Sequence, residues 1–272
     1  MNTPTSSRAK RTADDVQDST AVRTLARFGY AANGLVHVVI GLIALGVAGG
    51  GGGEADQSGA LGSLAAQPGG AAVLWTCTAG LFGLAVWGLL EAFLVPRRTS
   101  AMATWGARLK EAAKAVVYAA LGVTALTFAS GGSSNSSQSS ESASAQVLAA
   151  PGGVAVLVVV GLAVFAVGVV FVYRGGSRTF LENVAQPGGT AGRVVTGLGI
   201  AGYIAKGIVL GVFGVLLIVA AVQHDPGQAG GLDEALTSLV GLPAGVVLLT
   251  FVAVGLIAYG LFCFARARWP RL

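Results

Sequence analysis

The sequence predicts an all-α integral membrane fold, with six transmembrane helices arranged as three tandem helical hairpins. Three observations predict it. The 272 residues are 54% hydrophobic and only 11% charged, against about 25% charged in a soluble domain, so the chain lacks the polar surface to cover a water-soluble core. Six apolar runs, near 28–48, 70–95, 112–130, 151–173, 196–222 and 243–265, approach or exceed the roughly 20 residues that cross a hydrocarbon core. The runs also repeat in pairs, which divides the chain into repeat 1 (25–98), repeat 2 (99–178) and repeat 3 (179–268).

The first 24 residues carry Arg8, Lys10, Arg11, Asp14, Asp15, Asp18 and Arg23. Nothing apolar in them can offset the entropy of ordering, so they read as a disordered cytoplasmic tail. The run that follows is too long for a signal-peptide core and reads as an uncleaved anchor.

Each repeat opens on a leading span. These are Phe28–Leu45, Leu109–Leu126 and Ile200–Leu217. Aligning Asn33-Gly34 with Lys114-Ala115 and Lys206-Gly207 brings Gly41, Gly122 and Gly214 into register, seven residues on. Loose connections follow. Gly49–Gly53 is all glycine and Gly131–Ser144 is almost entirely Gly, Ser, Asn and Gln, the composition of flexible linkers with nothing to pack. A second motif comes next: Leu61…Leu64…Pro68-Gly69, Val147…Pro151-Gly152 and Leu236…Leu239…Pro243…Gly245. An apolar residue four positions before each proline suits a short helix lying on the outer surface. The proline then opens the returning span, where its missing N–H costs nothing. The prolines are 83 and 92 residues apart, and Gly34, Ala115 and Gly207 are 81 and 92 apart, so the two motifs keep step. Even-numbered spans give all three repeats one orientation, and such repeats are related by an axis along the membrane normal. The expected arrangement is a pseudo-threefold ring.

Charge sets the expected topology. The tail, the connections near 97–114 and 174–206, and the C-terminus hold all 17 Lys and Arg. The connections 49–69, 131–150 and 223–242 hold none, and carry Glu54, Asp56, Glu141, Asp225, Asp233 and Glu234. Basic residues favour the cytoplasmic side, so both termini are expected there, in a bacterial inner (plasma) membrane. The pI near 9.6 follows from this topology and does not point to nucleic acid. The expected partners are the lipid bilayer, an anionic lipid or small anion, and other membrane proteins.

The pattern of Gly-Tyr-x-x-Lys/Asn-Gly spans, as at Gly29-Tyr30 and Gly202-Tyr203, alternates with Pro-x-Gly…Gly-Leu-x-x-Tyr spans, as at Pro243…Gly255-Leu256…Tyr259. It resembles the bacterial membrane family called domain of unknown function 1206, over residues 25–268. The resemblance implies six spans in three tandem repeats and implies no activity. The family tends to carry Lys where this chain has Asn33, and Glu111 stands where the other repeats have Tyr30 and Tyr203.

The intramembrane polar residues are the candidate ligand-binding groups: Asn33, Lys114, Lys206, Tyr30, Tyr203, His37 and Glu91. If the leading spans converge, Asn33, Lys114 and Lys206 form a polar site facing the cytoplasm, with Tyr30, Glu111 and Tyr203 one turn below. Ammonium groups there favour an anion or a lipid phosphate. The opposing reading is that each lysine snorkels to the interface. Glu91 is expected to pair with Arg97, Arg98 or a repeat lysine, and His37 to be an interior hydrogen-bonding side chain. Cys77 and Cys263 lie inside spans without metal-ligand spacing and read as buried inert thiols. Gly197-Leu-Gly199-Ile-Ala-Gly202 spells a dinucleotide fingerprint but lacks the strand that must precede it, so these glycines are expected to pack helices. No cofactor, metal site or catalytic constellation is indicated. The sequence points to a non-catalytic envelope structural or accessory role. The alternatives are a small channel or transporter with a basic site on the repeat axis and, more remotely, a membrane enzyme acting on lipid.

Overall fold

The computed structural model describes residues 20–94, 101–185 and 187–269. Most of the expected disordered tail, and Arg97 and Arg98, lie outside them. Among the described residues the chain forms nine α-helices and no strand. Six are long and apolar enough to cross a membrane: α1 (Thr20–Ala48), α3 (Gly70–Leu94), α4 (Ala101–Ala129), α6 (Gly153–Ser177), α7 (Gly189–Gln223) and α9 (Gly245–Arg268). Three short helices, α2 (Gln57–Ala65), α5 (Ser136–Ala149) and α8 (Gly231–Thr237), lie in the connections inside the hairpins.

The proline motif folds the same way three times. The proline does not open the returning span as its missing N–H suggested: each span starts two residues later, at Gly70, Gly153 and Gly245, and the proline lies in the turn before it. The residue between is left-handed in every case: Gly69 (φ 80°), Gly152 (φ 77°) and Ala244 (φ 58°). The N–H of Gly70, Gly153 and Gly245 donates to the carbonyl of Gln67, Ala150 and Leu242, at 2.9, 2.9 and 2.8 Å. A Cβ on any of these three glycines would stand 1.8–2.1 Å from the carbonyl oxygen of Leu64, Val147 or Leu239. The apolar residue four before the proline and the glycine two after it are thus one turn seen from both sides.

The spans pack by a regular rule. The closest pairs are α3 with α4, α6 with α7, and α9 with α1. Each pair joins the returning span of one hairpin to the leading span of the next, and the last closes onto the first. The repeated small residues make these approaches possible. A Cβ on Gly34 would meet the Gly260 carbonyl at 2.7 Å, and one on Gly207 the Gly168 carbonyl at 2.6 Å. At the third equivalent, the Ala115 Cβ lies 3.1 Å from where Gly88 would carry its own. Backbones this close gain van der Waals contact that larger residues would prevent. Flanking contacts do not follow the threefold rule. Helices α7 and α9 pack together and α1 touches α3, but α4 and α6 do not pack on each other.

Gly49–Gly53 forms a turn and irregular chain, as composition suggested, but the second connection is not the loose linker expected. Residues 136–149 are helical, and the three connections hold one another. Asn135 caps α5 by accepting from the Gln138 N–H (2.8 Å) and donates to the Glu54 carboxylate (2.6 Å). The Ser136 N–H donates to Ser58 Oγ (3.0 Å), and the Ala55 N–H to Asp233 Oδ1 (2.7 Å). Asp56, fully buried, caps α2 through the Gly59 N–H (2.9 Å) and accepts from Ser58 (2.7 Å). These hydrogen bonds join connections that also bury apolar residues, Ala55, Ala60, Leu61, Ala229, Leu236 and Leu239, against the spans.

Candidate functional site

Tyr30, Asn33 and His37 follow one another at spacings of three and four on α1, so they share one face. Arg266, Cys263 and Tyr259 do the same on α9. The antiparallel pair brings these faces together as three rungs. The Arg266 guanidinium lies 4.2 Å from the centre of the Tyr30 ring. Asn33 Nδ2 donates to Cys263 Sγ at 3.3 Å. The His37 and Tyr259 rings meet with centroids 4.8 Å apart. The rungs run inward from the end of the bundle where the described chain starts and finishes. His37 lies ten residues beyond Arg27, about 15 Å at ~1.5 Å per residue.

Lys206 of α7 completes the innermost rung. Its Nζ lies 3.1 Å from His37 Nε2 and 4.4 Å from the Tyr259 ring centre, with the Phe171 ring at 5.6 Å. His37 Nδ1 lies 2.8 Å from the Asn33 carbonyl oxygen. A carbonyl only accepts, so Nδ1 carries the hydrogen and Nε2 is the bare nitrogen. The ammonium therefore donates to a neutral imidazole. Among the described residues no carboxylate comes within ion-pairing distance of Lys206 or Arg266; the ion pairs described there belong to Lys114. A charge at mid-bilayer costs about 2.5–3.5 kcal/mol on insertion scales. A desolvated cation–π contact returns about 2 kcal/mol and a charge-assisted hydrogen bond about 1.5–3 kcal/mol. Together these gains match or exceed the cost, so the ring and the imidazole can hold Lys206 charged in the empty site. Its net charge remains. Lys206 keeps part of its surface exposed, while His37 and Tyr259 are buried.

Around this ladder Tyr203 of α7 packs edge-on against Tyr259 (5.6 Å) and stacks on Phe180 (5.0 Å) and Phe171 (5.4 Å). Phe180, fully buried, sits in the space over Gly199, where a Cβ would come within 2.1 Å of its ring. A Cβ on Gly202 would meet the Tyr259 backbone at 2.5 Å. Gly202 is therefore a helix-packing position, as expected, while Gly199 makes room for Phe180 of the segment before α7. The third fingerprint glycine, Gly197, faces open space.

Of the seven residues singled out in the sequence, Tyr30, Asn33, His37, Lys206 and Tyr203 gather here. Lys114 and Glu91 do not. Lys114 pairs with Glu111 on its own helix and reaches Glu91 of α3 at 3.9 Å, with its side chain 45% exposed. The expected pairing of Glu91 with a repeat lysine is found, in a setting where such pairs contribute little. Helices α3 and α4 pack on each other, and Lys114 meets Glu111 and Glu91 there, so the second repeat's lysine has a different neighbour from the third's. Sequence reasoning missed Arg266, Cys263 and Tyr259. Arg266 was read for topology, Cys263 as inert and Tyr259 as a motif letter. The signal was their spacing, which mirrors Tyr30, Asn33 and His37. A separate groove of about 430 Å³ between α6 and α7, lined by Phe165, Gly168, Val172, Gly207 and Gly211, is wholly apolar-lined and holds none of these groups.

Six long apolar helices in tandem hairpins define a multi-pass membrane protein by length and composition. The chain belongs to the family described as Domain of Unknown Function (DUF1206), which matches residues 28–94, 109–178 and 201–270. It is similar to "Uncharacterized protein YxxB" of Bacillus subtilis (strain 168), with 29% identity over 254 residues, covering 92% of each chain. No solved structure matches.

Proposed function

We propose that this is a non-catalytic integral membrane protein that binds a small anion, or the anionic head of a lipid, at the Lys206–His37–Arg266 ladder. One observation carries the proposal: two cations on one polar ladder, Lys206 and Arg266, have no carboxylate partner among the described residues. Uncompensated charge in a low-dielectric setting attracts a counter-ion strongly. This favours the small channel or transporter over a purely structural envelope role.

The placement of both termini in the cytoplasm belongs to the same proposal, supported by the distribution of Lys and Arg. Under it, the ladder opens toward the cytoplasm. A pseudo-threefold axis along the membrane normal is also proposed, supported by the pairing of each returning span with the next leading span.

The test is anion binding by the purified full-length chain in nanodiscs of zwitterionic lipid, with chloride and formate as probes. Lys206→Met is expected to weaken binding tenfold or more while retaining helicity and melting behaviour. Equal binding by a well-folded Lys206→Met protein would sink the proposal. Nanodiscs doped with phosphatidylglycerol separate the two sources: displacement of formate assigns the site to the lipid head, and its absence to a free anion.

A further inference from the structure

We propose that anion binding at this ladder is coupled to protonation of His37, so that one anion and one proton enter the site together. This rests on the anion-site reading above and adds to it a second, separately measurable partner.

The argument starts from the hydrogens. His37 Nδ1 is committed as donor to the Asn33 carbonyl at 2.8 Å. The only position left for a proton is Nε2, which faces Lys206 Nζ at 3.1 Å. Protonation there would turn the one acceptor of the ammonium into a donor and set two cations face to face. Coulomb repulsion at this separation is large in a site of low dielectric. The groups packed around His37 offer no relief. On α1 they include Asn33, a neutral amide. On α9 they are Tyr259, whose ring lies 4.8 Å away, and Cys263, which accepts from Asn33. On α7 the charged group is Lys206 itself, and Tyr203 of α7 and Tyr118 of α4, which reach Tyr259, are uncharged phenols. No carboxylate among the described residues takes part. With the site empty, the ladder therefore holds His37 neutral.

An anion seated against Lys206 changes both obstacles. The ammonium turns hydrogens toward the anion, which frees the Nε2 lone pair, and the anion's charge cancels the field that opposed the imidazolium. Nε2 then takes a proton from water, and its new N–H donates to the same anion. No covalent bond forms or breaks. Lys206 and His37 carry one net positive charge before the event, and with the anion they carry one after it. A site inside a membrane that fills without changing its net charge avoids a further desolvation cost. Binding linkage is reciprocal, so the proton must favour the anion as much as the anion favours the proton.

The experiment measures the affinity of the full-length chain in zwitterionic nanodiscs for formate and chloride, neither of which titrates over about pH 5–8, the range in which histidine changes charge. Proton uptake is followed in parallel in weakly buffered solution. Wild type is expected to bind more tightly as pH falls, by up to tenfold per pH unit, with up to one proton taken up per anion. His37→Gln is expected to lose the slope, binding at every pH no better than wild type at the alkaline end; His37→Asn serves if that variant does not fold. In phosphatidylglycerol nanodiscs, a lipid head that binds with the same proton displaces formate to an extent independent of pH, because the exchange leaves His37 protonated. Binding that is independent of pH in wild type, or a slope that survives in the His37 variants, overturns the coupling and leaves the anion site standing. Failure of wild type to bind formate, chloride or phosphatidylglycerol at any pH overturns the anion site, and the coupling with it.

Discussion

Ala244 adopts φ 58° at the position where the other two repeats use Gly69 and Gly152. An L-residue in the left-handed region carries a penalty of about 1–2 kcal/mol, partly offset because glycine orders at a greater entropic cost. Ala244→Gly is therefore expected to stabilise the protein by about 0.5–1 kcal/mol, read as a higher melting temperature in detergent. The same scale governs the ladder. His37 is legible in the sequence as a polar residue inside a span, but its meaning depends on which nitrogen is free. That is settled by a carbonyl four residues away on its own helix and an ammonium from another helix. The first partner follows from helical spacing; the second does not.

At the scale of elements, small residues decide how closely two spans approach, and equal glycines are not equally required. A Cβ on Gly207 would meet backbone atoms of Gly168 and Val172 at 2.6 and 2.8 Å, while one on Gly197 of the same helix meets nothing within 4 Å. Gly207→Ala is expected to destabilise by about 1–3 kcal/mol, because rigid backbone must separate. Gly197→Ala is expected to stabilise by about 0.5–1 kcal/mol through the loss of glycine's entropic cost within a helix. Thermal unfolding of the pair checks the contrast, and equal effects would remove the close-approach account. The repeat register identified Gly34, Ala115 and Gly207 as equivalent. It could not say that their partners would be the returning spans of the preceding repeats, because periodicity fixes which residues share a face and is silent on what lies opposite.

At the scale of the whole molecule, the three hairpins meet at their connections, and Asp233 sits in that junction. Partial burial and the nearby Asp56 raise its pKa above the usual carboxylate value, against the hydrogen bond from the Ala55 N–H. A group whose pKa is raised by folding adds stability below its unfolded pKa, near 3.9, and loses it as pH rises through the folded value. Asp233→Asn is expected to melt higher than wild type at neutral pH, because the amide keeps an acceptor for Ala55 without the charge. The difference should shrink as the pH falls toward 4 and Asp233 becomes neutral. A difference that grows on acidification would contradict the assignment.

The sequence by itself determined six apolar helices in three repeats, the recurring proline motif ahead of each returning span, and most of the polar residues now found together. Each of these is local: spacing along one helix, or a turn closed within a few residues. Only the tertiary structure decided that residues 136–149 are helical and that the connections bond one another, that Lys114 pairs with Glu111 and Glu91 while Lys206 meets His37, and that Arg266, Cys263 and Tyr259 stand across from Tyr30, Asn33 and His37. Those outcomes depend on which helix lies beside which. That choice comes from small residues, hundreds of positions apart in some cases, fitting backbone to backbone across hairpins.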